Sequence, residues 1–258
     1  MKKVLITAGS IVLALLLAFF FLVIFPFMGT KEIKPGTEFA GGKIISVFDG
    51  MSQVLILDGG SGEIGLIDAG NSPDGKPVID ALAGRGYKPS DVKAIFFTHG
   101  HFDHIAAAKM FPNAKLYALE KEIPIVEGQA TNNSPSSLIF SAVPTGLKVT
   151  NILKDGEPVR LGSLKIEVFS VPGHTEGGAA FLVSGVLFIG DAALSSSDNK
   201  IKHAVWFFSG DVAGQDRSLK ALALRLDPVK NEIRYIVFSH SGPLDGLQPL
   251  LDYAKGVR

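Results

Sequence analysis

The sequence contains no cysteine in its 258 residues. That absence excludes disulfides, cysteine-based zinc ribbons, a cysteine nucleophile and lipid attachment through a thioether, and it suits an oxidising compartment. Neither sign of charge is in excess, since 25 Lys and Arg balance 25 Asp and Glu. No basic run is long enough to follow a phosphate backbone, so nucleic acid is not an expected partner. There is no repeat of fixed period and no low-complexity tract, which removes solenoids and disordered arrays. What remains is 47% hydrophobic, enough to build a sizeable core.

One long apolar run is present. Residues 4–28 are interrupted only by Thr7, Gly9, Ser10 and Pro26. As a helix the run would be roughly 37 Å long, enough to cross a bilayer with some tilt. Lys2 and Lys3 precede it, so the positive-inside bias predicts a single-pass anchor over 1–30. The N-terminus is then cytoplasmic, and the remainder lies on the extracytoplasmic side of the cytoplasmic membrane. A cleaved signal peptide is the alternative, but the run exceeds an ordinary h-region and no A-x-A site follows. Residues 31–41, with Pro35, Gly36 and Thr37, read as a linker. Residues 42–258 then form one domain.

Within that domain the pattern alternates. Strand-like runs at 43–49, 53–57 and 63–68 are separated by glycine-rich turns. A helix is predicted over 76–85, a buried strand over 94–98, a helix starting near Asp103 and a strand over 115–118. Further strands are predicted over 165–170, 179–183, 186–189 and 235–238, and helices over 215–226 and 246–254. Two successive halves of strands and helices predict packed sheets with helices outside, an α/β (α+β) class. Residues 128–146 and 195–214 read as long loops, which in compact domains tend to carry function.

The chemistry begins at Thr98-His99-Gly100-His101-Phe102-Asp103-His104, where the apolar run 94–97 ends. Imidazoles and carboxylates are ligands that zinc, iron and manganese accept. Four such groups on one tight turn cannot all meet a single ion, but they can serve two ions a few ångströms apart. Three more apolar strands end in a ligand type: Pro172-Gly173-His174, Ile189-Gly190-Asp191 and Phe238-Ser239-His240. A charged or imidazole group buried at a strand end is costly unless it is hydrogen-bonded or bound to a cation.

In order and spacing these segments resemble the metallo-β-lactamase superfamily, in its hydrolase branch, over nearly all of 42–258. The resemblance implies an αββα four-layer sandwich with the site in a cleft at the sheet edges. It implies two divalent metal ions, zinc foremost with iron or manganese as alternatives. His99, His101 and His174 would hold the first ion, Asp103, His104 and His240 the second, and Asp191 would bridge them. Asp68, in Ile67-Asp68-Ala69-Gly70, would orient a ligand histidine from beneath; an Asp merely opening a turn is the alternative. Two ions sharing a water would present hydroxide at neutral pH, with Asp103 as the catalytic residue that steers or accepts its proton.

The resemblance also ranks the branches. Asp191 distinguishes the chain from class B β-lactamases, which generally lack that carboxylate. His101 stands where flavin-linked di-iron reductases carry Glu. The nearest patterns are glyoxalase II-like and lactonase-like hydrolases, so a small-molecule ester, thioester or lactone is the expected substrate. A β-lactam hydrolase and a catalytically idle metal-binding domain are the alternatives. Departures stand at Thr175-Glu176-Gly177, where Thr-Pro-Gly is usual, and at Ile105-Ala106-Ala107, where Gly-Gly often follows; they put glutathione thioesters in doubt. His203 has no slot in the pattern. It reads either as part of a substrate-facing lid with Trp206, Phe207 and Phe208 or as ordinary packing, and the aromatic cluster could touch a bilayer near the anchor.

Overall fold

A computed structural model describes the backbone of residues 2–257 and the side chains of residue 10 and residues 12–257. Several strands are apolar at nearly every position, and the reason is visible in where alternate side chains go. In one sheet, β1 (Glu38–Phe39), β2 (Ile44–Phe48), β3 (Gln53–Asp58) and β4 (Ile64–Ile67) run antiparallel. Beyond them β5 (Val92–Phe96), β6 (Lys115–Leu119) and β7 (Asn151–Leu153) add in parallel. Along β3, Leu55 and Leu57 enter the central layer while Val54 and Ile56 enter an outer one. A strand buried on both faces reads as a continuous hydrophobic run rather than an alternation.

The second sheet contains β8 (Val159–Leu161), β9 (Leu164–Ser170), β10 (Ala179–Val183) and β11 (Val186–Phe188). A small ribbon, β12 (Ala193–Ser195) with β13 (Ile201–His203), projects from it. The sheet then continues through β14 (Tyr235–Val237), parallel to β11, and the edge strand β15 (Leu244–Asp245). Phe181, Val183 and Phe188 face the first sheet, whereas Leu182, Leu187 and Ile189 face outward. Three apolar layers result, one between the sheets and one outside each.

The N-terminal helix α1 (Lys2–Phe19) precedes the sheets; α2 (Lys76–Ala83) covers the first sheet through Val78 and Leu82. The short helices α3 (Phe102–Ile105) and α4 (Ile123–Val126) lie beside the site, and α5 (Val212–Leu226) and α6 (Gln248–Gly256) cover the second sheet. The arrangement is therefore packed sheets with helices outside, as the alternation predicts, in the four-layer form that the resemblance implies. Glu38–Phe39 falls in the 31–41 stretch read as linker. Phe39 is buried in the central layer, so the sheet begins earlier than the composition suggests.

At the N-terminus, α1 passes into a π-helical turn, Phe20–Ile24, and a 3₁₀ turn, Phe25–Phe27. The α-helical part is about 27 Å long, short of the roughly 30 Å hydrocarbon core of a bilayer. Among the described residues no helix is long and apolar enough to cross a membrane. The side chains of 4–9 and 11, which belong to the expected span, lie outside the described residues.

Candidate metal centre

The seven predicted ligands converge at one end of the sheets. The turn after β5 delivers His99, His101, Asp103 and His104, with the last two on α3. His174 follows β9, Asp191 follows β11 and His240 follows β14. Glycine permits two of these turns. Gly173 has φ +142 and a Cβ there would stand 2.3 Å from the backbone nitrogen of Gln215. Gly190 has φ +57, in the left-handed region, and a Cβ would press on Thr98.

Two clusters form around Asp191. The Nδ1 of His101 lies 3.1 Å from His99 Nε2 and 3.0 Å from His174 Nε2. On the other side, His240 Nε2 is 3.2 Å from Asp103 Oδ2, and His104 Nε2 is 3.3 Å from the same oxygen. Asp191 stands between, its Oδ2 3.6 Å from His174 Nε2 and 3.0 Å from His240 Nε2, its Oδ1 3.5 Å from His104 Nε2. Ligand atoms about 2.0–2.1 Å from a tetrahedral ion lie roughly 3.3 Å from each other, so both clusters have the spacing of ligands around a cation.

Partners behind the rings decide which nitrogen carries the proton. The Thr98 hydroxyl donates to Asp68 Oδ2 at 2.7 Å, so its oxygen is left to accept from His99 Nδ1–H at 3.0 Å. Ser209 likewise donates to the Val205 carbonyl and accepts from His174 Nδ1–H at 3.0 Å. His104 Nδ1–H donates to Asp68 at 2.8 Å, and His240 Nδ1–H to the Met51 carbonyl at 2.9 Å. Four Nε2 atoms therefore point inward, and this back-bonding is how metal-ligating histidines are held. His104 Nε2 and Asp191 Oδ1 are buried without a hydrogen-bond partner. Orphaned buried atoms of this kind call for a bound group, and the all-nitrogen-and-oxygen set fits a divalent ion.

The two clusters differ electrostatically. Burial lowers the pKa of His99 and His101 and takes His174 down to about 3, so the first cluster is neutral. Burial opposes charge at His104 and His240 too. There, however, the carboxylates win: Asp103, Asp191 and Asp68 raise His104 well above the usual range, and Asp191 and Asp103 raise His240 to about 10. Asp103 and Asp191 are held well below the ordinary carboxylate range, burial being overcome by the same two imidazoles.

Asp68 is not simply a turn residue. It is fully buried with φ +58 and accepts from Thr98 N–H, the Thr98 hydroxyl and His104. His203 does not join the seven. It pairs with Asp216 at 2.9 Å and Tyr253 at 2.8 Å beside a separate cavity of about 460 Å³. Sequence reasoning missed Glu122, whose buried carboxylate accepts from Gly100 N–H at 2.7 Å, the Thr175 hydroxyl at 2.7 Å and Gly177 N–H at 3.0 Å. It ties the His99–His101 turn to the loop of His174. Burial raises its pKa to about 7 against those three donors. In sequence it sits in the triplet Glu120-Lys121-Glu122 and looks like a solvated charge run, so no local signal marks it.

A four-layer sandwich with two His/Asp clusters at its sheet ends defines a metal-centre fold, and the chain belongs to the metallo-beta-lactamase superfamily. The family model matches residues 47–240, a span that contains all seven candidate ligands. Among curated relatives, human metallo-beta-lactamase domain-containing protein 1 is 30% identical over 188 residues, covering 70% of this chain. The match spans 61% of that relative's own length. Among solved structures, BJP-1, a subclass B3 metallo-beta-lactamase of Bradyrhizobium japonicum, matches with TM-score 0.63 and 21% identity over 89% of this chain and 92% of that one. A metallo-beta-lactamase family protein of Thermus thermophilus matches with TM-score 0.58 and 22% identity over 82% and 76%. At these identities the solved structures show the shared fold. Members of the superfamily are mostly metal-dependent hydrolases, and the His/Asp clusters here can hold metal ions.

Proposed function

We propose that the chain is a dinuclear, zinc-dependent hydrolase that cleaves an ester, thioester or lactone at its carbonyl. The observation that carries this reading is Asp191, whose Oδ2 lies 3.6 Å from His174 Nε2 of the first cluster and 3.0 Å from His240 Nε2 of the second. A carboxylate so shared suits a bridge between two ions. When bound, such ions lower the pKa of a water toward neutrality and polarise a carbonyl oxygen.

The chain's own residues supply the rest. His99, His101 and His174 form the neutral cluster, Asp103, His104 and His240 the charged one, and Asp68 holds the His104 ring. Asp103 is the most exposed of the three carboxylates, its side chain 19% accessible against 12% for Asp191 and 1% for Asp68. It therefore borders the mouth, where it takes the proton released by the attacking water and returns it to the leaving group. No serine or cysteine nucleophile is required.

A β-lactam is the second substrate reading, favoured by the B3 enzymes that share the fold. It ranks lower because Asp191 supplies a carboxylate between the two clusters. Attachment to the cytoplasmic membrane through the apolar N-terminal stretch, with the domain on the extracytoplasmic side, belongs to the same proposal. Large apolar side chains from Val12 to Met28 exposed to the surroundings support it.

The test is a panel of thioesters, lactones, phosphoesters and β-lactams, including nitrocefin, run on zinc-loaded wild type beside Asp103→Ala. We expect turnover of a thioester or lactone and a loss of at least about 100-fold in kcat/KM in the variant. Rapid nitrocefin turnover would reverse the ranking, and equal rates for both proteins would remove Asp103 from its role.

A further inference from the structure

We infer that the mouth of the metal centre opens onto a lipid bilayer, and that the substrate is an amphiphile whose scissile carbonyl carries a long acyl chain. The substrate half rests on the hydrolase reading above; the bilayer half does not.

The first observation is where the apolar N-terminal path ends. Its last turn places the Phe27 ring edge-on to the ring of His240, centroids 5.8 Å apart. The preceding turn, Phe20–Ile24, runs beside Trp206–Phe208. This proximity is pinned. Lys202 Nζ donates to the carbonyls of Pro26 at 2.7 Å and Met28 at 2.9 Å. Thr30 bridges Ser196, Lys31 N–H donates to the Ser195 carbonyl, and Gly242 N–H donates to the Lys31 carbonyl. The segment holding His240 and the base of the helix are thus one bonded unit.

The second observation is the chemistry of the helix surface. Leu13, Leu15, Leu16, Phe19, Phe21 and Phe25 are each 53–65% exposed. No charged side chain stands opposite them anywhere in 12–28. A helix that is apolar all round belongs in apolar surroundings.

The third observation is the rim. Phe102, flanked by the ligands His101 and Asp103, is 62% exposed; Met51, whose carbonyl holds His240, is 54% exposed. Trp206 is 56% exposed, and Leu138 and Phe140 are 91% and 60% exposed. The loop bearing Leu138 and Phe140 is tied to the site by Asn132, whose Nδ2–H₂ donates to the carbonyls of His174 at 3.2 Å and Phe208 at 2.6 Å. Four segments around the site, those of Met51, Phe102, Leu138–Phe140 and Trp206, therefore offer an apolar side chain outward. Isolated exposed apolar residues are ordinary, but a set continuous with the apolar stretch 12–28 marks a membrane surface. A Trp at its edge fits the headgroup level. A carbonyl held at that depth, with its acyl chain among these side chains, reaches the metal centre without leaving the bilayer.

Trp206 is the only Trp in the chain, so its fluorescence reports this rim alone. The full chain is reconstituted into plain phosphatidylcholine vesicles and into vesicles whose phosphatidylcholine carries bromine on one acyl chain. We expect bromolipid to quench Trp206, with emission shifted to the blue of that in denaturant. Zinc-loaded protein is then given a series from butanoyl to dodecanoyl thioesters in the plain vesicles. Burial of about three or four of the eight added methylenes predicts a rise of about 100-fold in kcat/KM along the series. In the exposed-rim double variant Leu138→Ser, Phe140→Ser the dodecanoyl-to-butanoyl ratio falls by about tenfold. Unquenched emission overturns the bilayer placement, and a flat series overturns the acyl substrate. If no ester, thioester or lactone of any length turns over, the hydrolase reading fails, while quenching still decides the placement.

Discussion

His174 and His240 carry opposite signs of pH dependence within one site. The folded-state pKa of His174, about 3, lies below the ordinary 6.5. Its contribution to stability is therefore full above 6.5 and lost as pH falls from 6.5 toward 3. His240, raised to about 10, contributes fully below 6.5 and loses that contribution as pH rises from 6.5 through 10. In metal-free protein, protons on His104 and His240 occupy the place a cation would take beside Asp103 and Asp191. Zinc loading at pH 7 should accordingly release about two protons per chain, nearly all from the second cluster. Calorimetry in buffers of different ionisation enthalpy reads that number; zero released protons would contradict the charge assignment. Asp68→Asn removes the carboxylate that holds His104 and should weaken zinc affinity by about 10–100-fold, measured by competition with a chromogenic chelator, with the first cluster less affected.

Between residues and the whole stand the turns. Glu122 lies on the short turn Glu120–Glu122 and fastens from beneath the two loops that carry His99, His101 and His174. Glu122→Ala would leave three buried donors unpaired, at a cost on the order of 3 kcal/mol. Urea denaturation should show that loss, and zinc affinity should fall with it because both loops loosen. Legibility follows the same physics. The longer central strands were readable because both faces are buried, which makes 54–57 or 179–183 continuous apolar runs. The two- and three-residue strands β1, β7, β8, β12, β13 and β15 carry too few positions for any period, and pairing at sheet edges and in the ribbon alone defines them. The convergence of the candidate ligands was readable because four apolar strands each end in His or Asp, a set whose burial is costly without a partner. Glu122, Ser209 and Asn132 were not, because their roles exist only after distant segments meet. His203 shows the converse, a histidine outside the pattern whose partners Asp216 and Tyr253 lie on helices 13 and 50 residues further along the chain.

At the scale of the molecule, three apolar layers stand independently of the metal centre. Chelation should therefore leave a folded protein with a lower Tm rather than an unfolded chain. Ligand at a thousand times its Kd adds about 4 kcal/mol, so differential scanning calorimetry should show a single transition that moves up on zinc addition. A metal-stripped sample without a cooperative transition would mean that the layers lean on the ions.

The bonded seam between Lys31, Ser195 and Gly242 bears on how the protein is handled. Trimming the chain back to Thr30 for easier purification would take Phe27 away from His240 and uncover one wall of the entrance. Such a shortened protein could still fold and take up metal and yet misreport which compounds it prefers.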